Sequence, residues 1–573
     1  MRTLTPLFAL STLLAALPAQ DKVLPFRFVP ADSTVVLKVA GPGKWKQQFA
    51  NTQIAKLLQG ESLASARKLL SDTVSEGLDK VRESGRFDAD LVEALLKDYA
   101  GEITVALHLD LSNLAEVMQT GETPPIGVVI ALAPDASYDL SKLAAAIDKA
   151  TEANAADVGP LRDLAIGDVR LRVATQDNGA TTVPMLIDGH LVFLAGNDID
   201  KYAAKVLGTD ARFSAATNDA SLLLHAQLDS VMSTFVEEIG SQVSNMGAPF
   251  DAAQIMRDLG LSSLTSMQMS MGNDGKHLTG EYHIGMKETD RGLLDLMSAK
   301  AGAPKLLRCV PSESEAFSVT PFQSSRLLEI VGKVWSGLGD QVPMTWEEAQ
   351  ASAADALKVR LQEDLFAHLG SEVLILQDPE AAFGGALEAD EDENPVLAAM
   401  NGMCIGIALR DGKAFGESVE KMVRARGMHA ARKTEEYQGT KVHKIKFAGA
   451  VDVEYAITDD VVLLGIGKDE ATRRSLRSAL DARASTEGGI PTAAKAHLAA
   501  LADGWNGISC SSVASSFTAI ASAMEARGEM PDEIRMFGDV LKSVSADLKR
   551  LGIDRSVSTT YSTANGLTIR TRW

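Results

Sequence analysis

A chain of 573 residues exceeds what one hydrophobic core holds, so two or more domains are expected. Its formal net charge of -20 disfavours nucleic acid and anionic lipid headgroups as partners, because both are bound through Lys and Arg. Aromatic residues make up only 5%, which also disfavours a sugar-binding surface built on exposed Trp and Tyr.

The N-terminus reads as an export signal. Met1-Arg2 gives a positive start, and the apolar run from Leu7 to Leu17 has the length of a signal-peptide core, too short to span a bilayer. Residues 1–19 are predicted to be removed after Ala19, leaving an exported protein, periplasmic or extracellular. No later run is long and apolar enough to predict a transmembrane segment. The three cysteines, Cys309, Cys404 and Cys510, are too few for a disulfide framework. Cys404 and Cys510 sit in apolar strand-like runs and read as buried thiols, with one disulfide as the alternative.

A strand is predicted from Thr34 to Val39, broken by Gly41-Pro42-Gly43 and followed by a helix from about Lys44 to Leu58. Two further helical stretches follow, near Ser62 to Ser84 and Phe87 to Tyr99. From Glu102 onward Ile103, Val105, Leu107, Leu109 and Leu111 alternate with Thr104, Ala106, His108 and Asp110, the period of a strand. A strand at Ile126–Leu132 and a helix at Tyr138–Ala150 come next. Val183–Asp198 then predicts a hairpin turned at Asp188-Gly189, where Gly tolerates the positive φ of a tight turn, with Asp198 capping a helix. The half closes on strands at Ser221–Gln227, Leu264–Met271 and His277–Ile284, the last two joined through Asn273-Asp274-Gly275.

The same order returns. Val29-Pro30-Ala31-Asp32 is echoed by Val310-Pro311-Ser312-Glu313, Glu102 by Glu372, Ile126-Gly127 by Ile405-Gly406, and the organising hairpin by Val453–Asp469. A helix with Ile534, Phe537, Leu541, Val544 and Leu548 on one stripe precedes the last hairpin, turned at Asn565-Gly566. The expected fold class is α+β: two tandem similar domains, 23–297 and 298–573, each a largely antiparallel sheet of about eight strands covered by helices. The join is expected at Ser298–Pro304. The export signal, the Val-Pro-x-Asp/Glu start and the final Asn-Gly hairpin resemble a group of exported bacterial proteins filed as a domain of unknown function, the thirty-three-fifty-two group. That resemblance implies an exported α+β protein without an established activity, and it supplies no site residues.

Candidate chemistry is sparse. Gly41-Pro42-Gly43-Lys44 lacks phosphate-loop spacing, and Trp45 stands where the hydroxyl belongs. His108 and His443 lie in strands and read as surface or core residues. Met267, Met269 and Met271 share a strand face; thioethers suit Cu(I), but Met also fills cores, which is the preferred reading. The acidic run Glu388–Asn394 lacks the spacing of a calcium loop and reads as a solvated loop. Glu102 and Glu372 evoke a shared-proton carboxylate pair, yet the Asp-Thr/Ser-Gly triplet is missing from both halves. The C-terminal alternation ending in Trp573 reads as a last soluble strand. No catalytic, cofactor-binding or metal residues are assigned. The expectation is an exported non-catalytic binding, scaffolding or envelope-associated protein with an unidentified protein or envelope partner. The alternatives are a carrier of an apolar small molecule or lipid in a cleft between sheet and helices, and a hydrolase whose site forms no motif.

Overall fold

The computed structural model describes residues 26–84, 88–110, 124–153, 160–176, 179–208, 212–214, 220–247, 250–289, 291–298, 302–382, 400–446, 452–467, 469–485, 489–526, 532–563 and 565–573. The predicted signal, 1–19, and the acidic run, 388–394, lie outside the described residues. The architecture is mixed helix and antiparallel sheet, an α+β fold. Two compact units divide the chain. The first holds the described residues up to Thr234 together with Thr265–Ile284; the second holds Phe235–Leu264 and Gly285–Trp573.

The first unit contains β1 (Val35–Ala40), β2 (Glu102–Leu109), β3 (Ile126–Leu132), β4 (Leu161–Ile166), β5 (Val169–Gln176), β6 (Gly179–Thr182), β7 (Met185–Ile187), β8 (His190–Gly196), β9 (Leu222–Gln227), β10 (Leu264–Asn273) and β11 (Leu278–Met286). Antiparallel pairing gives the order β10-β9-β1-β2-β3-β8. From β8 it continues through β6 to β5 and β4, with β7 also paired to β8. The predicted hairpin is present: Asp188 and Gly189 both have positive φ, 50° and 81°, as a tight turn between twisted strands demands. The Asp198 carboxylate accepts the Lys201 N–H at 3.3 Å and starts the helix Ile199–Leu207. That helix presses Ile199, Tyr202, Ala203 and Val206 onto the inner sheet face, where Val36, Ala106, Val129, Leu194 and Leu223 are fully buried.

The second unit contains β12 (Ala316–Pro321), β13 (Leu369–Gln377), β14 (Met403–Leu409), β15 (Lys433–Tyr437), β16 (Thr440–Lys446), β17 (Asp452–Ile457), β18 (Val461–Gly467), β19 (Gly507–Ser512), β20 (Arg555–Thr563) and β21 (Gly566–Arg572). Their order is β21-β20-β19-β12-β13-β14-β18-β17-β16-β15, all antiparallel. Val319, Leu374, Cys404, Leu463 and Ile508 are buried on its inner face, against Leu476, Ala479 and Leu480 of the helix Asp469–Ala484. Each buried Leu or Val contributes roughly 1.5–3 kcal/mol by leaving water, so these two clusters dominate the stability of their units.

Three expectations are corrected. Eleven and ten strands are described, against about eight per half. The extra ones include β4 and β15, whose residues are mostly exposed and so carry no apolar alternation. The helix expected over Lys44–Leu58 is two helices, Pro42–Phe49 and Gln53–Gln59. Thr52 divides them: its hydroxyl donates to the Phe49 carbonyl at 2.8 Å and accepts the Ala55 N–H at 3.3 Å. The stripe on the helix Asp532–Leu551 is only half buried. Val544 and Leu548 are covered, whereas Phe537 is 56% exposed; the later turns lie against the helix Val513–Ala526, where the Ser545 hydroxyl donates to the Ala514 carbonyl at 2.8 Å.

Candidate binding surface

The residues singled out in the sequence fall mostly into structural roles. Gly41 and Gly43 let the chain pass against the backbone after the helix Ala89–Asp98. A Cβ at Gly41 would lie 2.5 Å from the Tyr99 carbonyl oxygen, and one at Gly43 would lie 2.4 Å from that of Asp98. Lys44 donates to Glu102 at 3.1 Å, and buried Lys38 lies 3.8 Å from the same carboxylate. In the second unit Glu372 accepts the Leu306 N–H at 2.9 Å. Each glutamate therefore has its own local partners. The three cysteines are free and buried; burial pushes the Cys309 thiol up to about 11 and the Cys404 thiol up to about 12. His443 lies half-buried against Tyr455, at a ring separation of 4.9 Å. Among the described residues no group of three His, Cys, Asp or Glu side chains could hold a metal ion.

His108 belongs to a small cleft beside the helix Ile199–Leu207. Its Nδ1 lies 3.1 Å from the Asp32 carbonyl, which only accepts, so Nδ1 carries the proton. Its Nε2 is then free to accept from Lys205 Nζ at 3.4 Å. Lys205 also pairs with the Asp32 carboxylate, and Lys201 lies 3.5 Å from Asp110. The Tyr202 ring stacks on His108 at 6.1 Å, and its buried hydroxyl makes no hydrogen bond to protein. The cleft is about 100 Å³, room for several waters or a small solute, and its lysines are matched by carboxylates.

A larger feature covers the other face of the first unit's sheet. The pairing registers line up three rows that cross six strands, from β10 to β8. One row is Met269, Leu224, Leu37, Val105, Ile130 and Phe193. On one side lies Met267, Ala226, Val35, Leu107, Val128 and Ala195; on the other lies Met271, Leu222, Val39, Ile103, Leu132 and Leu191. Every member of all three rows is apolar. Helices Ala89–Asp98 and Leu140–Ala153 pack over the end holding Ile103, Leu132 and Leu191. Towards β9 and β10 the rows open, and Leu224 and Met267 are 38% and 37% exposed. An antiparallel sheet with one free face ordinarily alternates apolar and polar along each strand. Here the outer face is apolar across all six strands, while the inner face carries Lys38, His225 and Gln268 beside its apolar centre; local sequence could not reveal the continuous outer patch, because only the cross-strand register joins Met269 to Phe193.

The second unit differs. Its corresponding rows are Ser558, Ser509, Ser318, Ile375, Ile405 and Leu464; Ser556, Ser511, Ala316, Gln377, Met403 and Ile466; and Thr560, Gly507, Thr320, Val373, Ile407 and Val462. Strands β13, β14 and β18 are mostly apolar, with helix Gly412–Ala425 contributing Phe415 beside Ile407, Val462 and Leu464. On β12, β19 and β20 the outer face carries mostly hydroxyls instead. Ser511 and Ser556 hydroxyls meet at 2.8 Å, and those of Ser558 and Thr571 at 2.7 Å.

No family model matches the chain. No curated protein matches it either. Among solved structures, two crystal forms of TP0453 align at TM-scores of 0.20 with 8% identity, covering 47% and 46% of this chain and 81% of theirs.

Proposed function

We propose that the chain is a tandem duplication of one α+β unit, working as an exported, non-catalytic binding protein whose first copy takes an apolar ligand on the outer face of its sheet. The duplication is supported by the order of pairing, which is the same from β10 to β8 as from β20 to β18. It is also supported by position: Glu102 lies opposite Ala40 as Glu372 lies opposite Pro321. The registers revise one echo, since Ala131 and not Gly127 takes the place of Gly406.

One observation carries the functional reading. On three equivalent strands the first copy has nine apolar outward residues where the second has Ser, Thr, Gly and Ala. A hydroxyl-bearing face needs no cover, so the same fold stands without apolar residues there. Their presence in one copy alone is the signature of something to be bound. None of the described helices is long and apolar enough to cross a membrane. The test is binding of a polarity-sensitive dye to the full chain. Replacing Leu37, Leu224 and Met269 by Ser, the residue of the second copy, should abolish the fluorescence gain. Undiminished dye binding by a folded triple variant would refute the reading.

A further inference from the structure

Resting on that reading, we infer that the occupant of the first unit's outer face is the unbranched acyl chain of a lipid, lying across the strands along the row from Met269 to Phe193. Three features of the face choose this chemistry over a protein. The first is size. Six strands span roughly 24 Å and the three rows roughly 14 Å, a patch of roughly 350 Å². A stable dimer or protein partner needs roughly 800 Å² from each side. Part of the patch is already roofed by the helices over Ile103, Leu132 and Leu191, so less remains for a macromolecule.

The second is composition. The eighteen positions hold no hydrogen-bonding or charged side chain, and Phe193 is their one aromatic. Protein interfaces are anchored by Trp, Tyr and Arg and held in register by polar groups. A surface without either kind of group fits a ligand that has no polar pattern to match. The third is shape. The middle row crosses six strands and is longer than the roughly 15 Å hydrocarbon depth of one bilayer leaflet, and a flexible acyl chain can follow the twist of the sheet along it. Met267, Met269 and Met271 edge the open end, where flexible thioethers adapt to chains of differing length.

The experiment titrates the full chain, purified without detergent, with octanoate, laurate, palmitate and stearate. Affinity should rise roughly fourfold per added methylene up to the length of the row, then level off. The triple variant Leu37→Ser, Leu224→Ser, Met269→Ser should lose at least tenfold in palmitate affinity. Grafting Ser318→Leu, Ser509→Leu and Ser558→Met into that variant should restore binding on the second unit. If the triple variant fails to fold, Leu224→Ser alone carries the test, since Leu224 is already 38% exposed. Dye binding that is lost in the variant, without any dependence on chain length, would overturn the acyl inference and leave an apolar surface of another kind. A wild-type dimer dissolved by the same substitutions would assign the face to a second copy. Equal dye and palmitate binding by wild type and variant would remove both the inference and the reading beneath it.

Discussion

Gly127 and Tyr202 are in direct contact: a Cβ on Gly127 would stand 2.4 Å from the tyrosine ring. The ring lies flat on β3 and is 5% exposed, so it cannot retreat without lifting the helix Ile199–Leu207 off the inner core. Gly127→Ala should therefore destabilise the first unit by roughly 1–3 kcal/mol, measured as a lower midpoint in urea. Gly77 is the contrast. It sits in the helix Ala64–Ser84 with nothing within 4 Å of a new Cβ. Gly77→Ala should raise stability by roughly 0.5–1 kcal/mol through helix propensity alone. Equal effects of the two substitutions would contradict this packing.

Lys38 is buried on the inner face, where Glu102 also holds Lys44. Glu102→Gln leaves that ammonium without its counter-charge. The cost should be roughly 2–4 kcal/mol, toward the lower end because about a quarter of the Glu102 side chain meets water. In the equivalent place the second unit has Val319. Lys38→Val combined with Glu102→Gln should recover most of the loss, seen as a double-mutant coupling in denaturant melts.

The thiols should be silent in the folded chain. Cys309, Cys404 and Cys510 are buried, and loss of hydration raises all three. At pH 8 a thiol-specific reagent should label none of them in native buffer and all 3 once denaturant is added. Rapid labelling under native conditions would show that the inner face of the second unit opens readily.

Acid should weaken the fold before its carboxylates titrate. Burial holds His190, with a ring edge against Phe28, below the ordinary histidine range, and does the same to His443. Above about pH 6.5 both folded and unfolded chains carry these rings neutral, so they add no pH dependence. As pH falls below that value the unfolded chain takes up protons first, and stability declines until the folded rings titrate too. A urea midpoint that falls between pH 7 and pH 5, less steeply in His190→Gln, is the expected result.

The elements with strong local chemistry were legible in the sequence. Asp188-Gly189 forced a turn, Asp198 capped its helix, and the alternation from Ile103 to Leu109 made β2. The exposed strands β4 and β15 were missed, because a strand that buries little has no apolar period to detect, whereas their partners β5 and β16 bury Leu171, Val173, Val442 and Ile445. The stripe through Phe537 misled for the opposite reason: periodicity shows that a helix has an apolar side, not which element covers it or over how many turns. Met267, Met269 and Met271 were visible as one strand face. Their continuation through Leu224 and Leu37 to Phe193 was not, since residues far apart in the chain become neighbours only through register.

The opened end of the rows at Leu224 and Met267 makes preparation history an experimental variable. Detergent monomers carry the same hydrocarbon tails as the inferred occupant, so protein that has met a detergent will behave as if saturated. Stripped protein should instead adhere to plastic and to itself as salt strengthens apolar contacts. Two laboratories could then measure opposite activities on identical polypeptides.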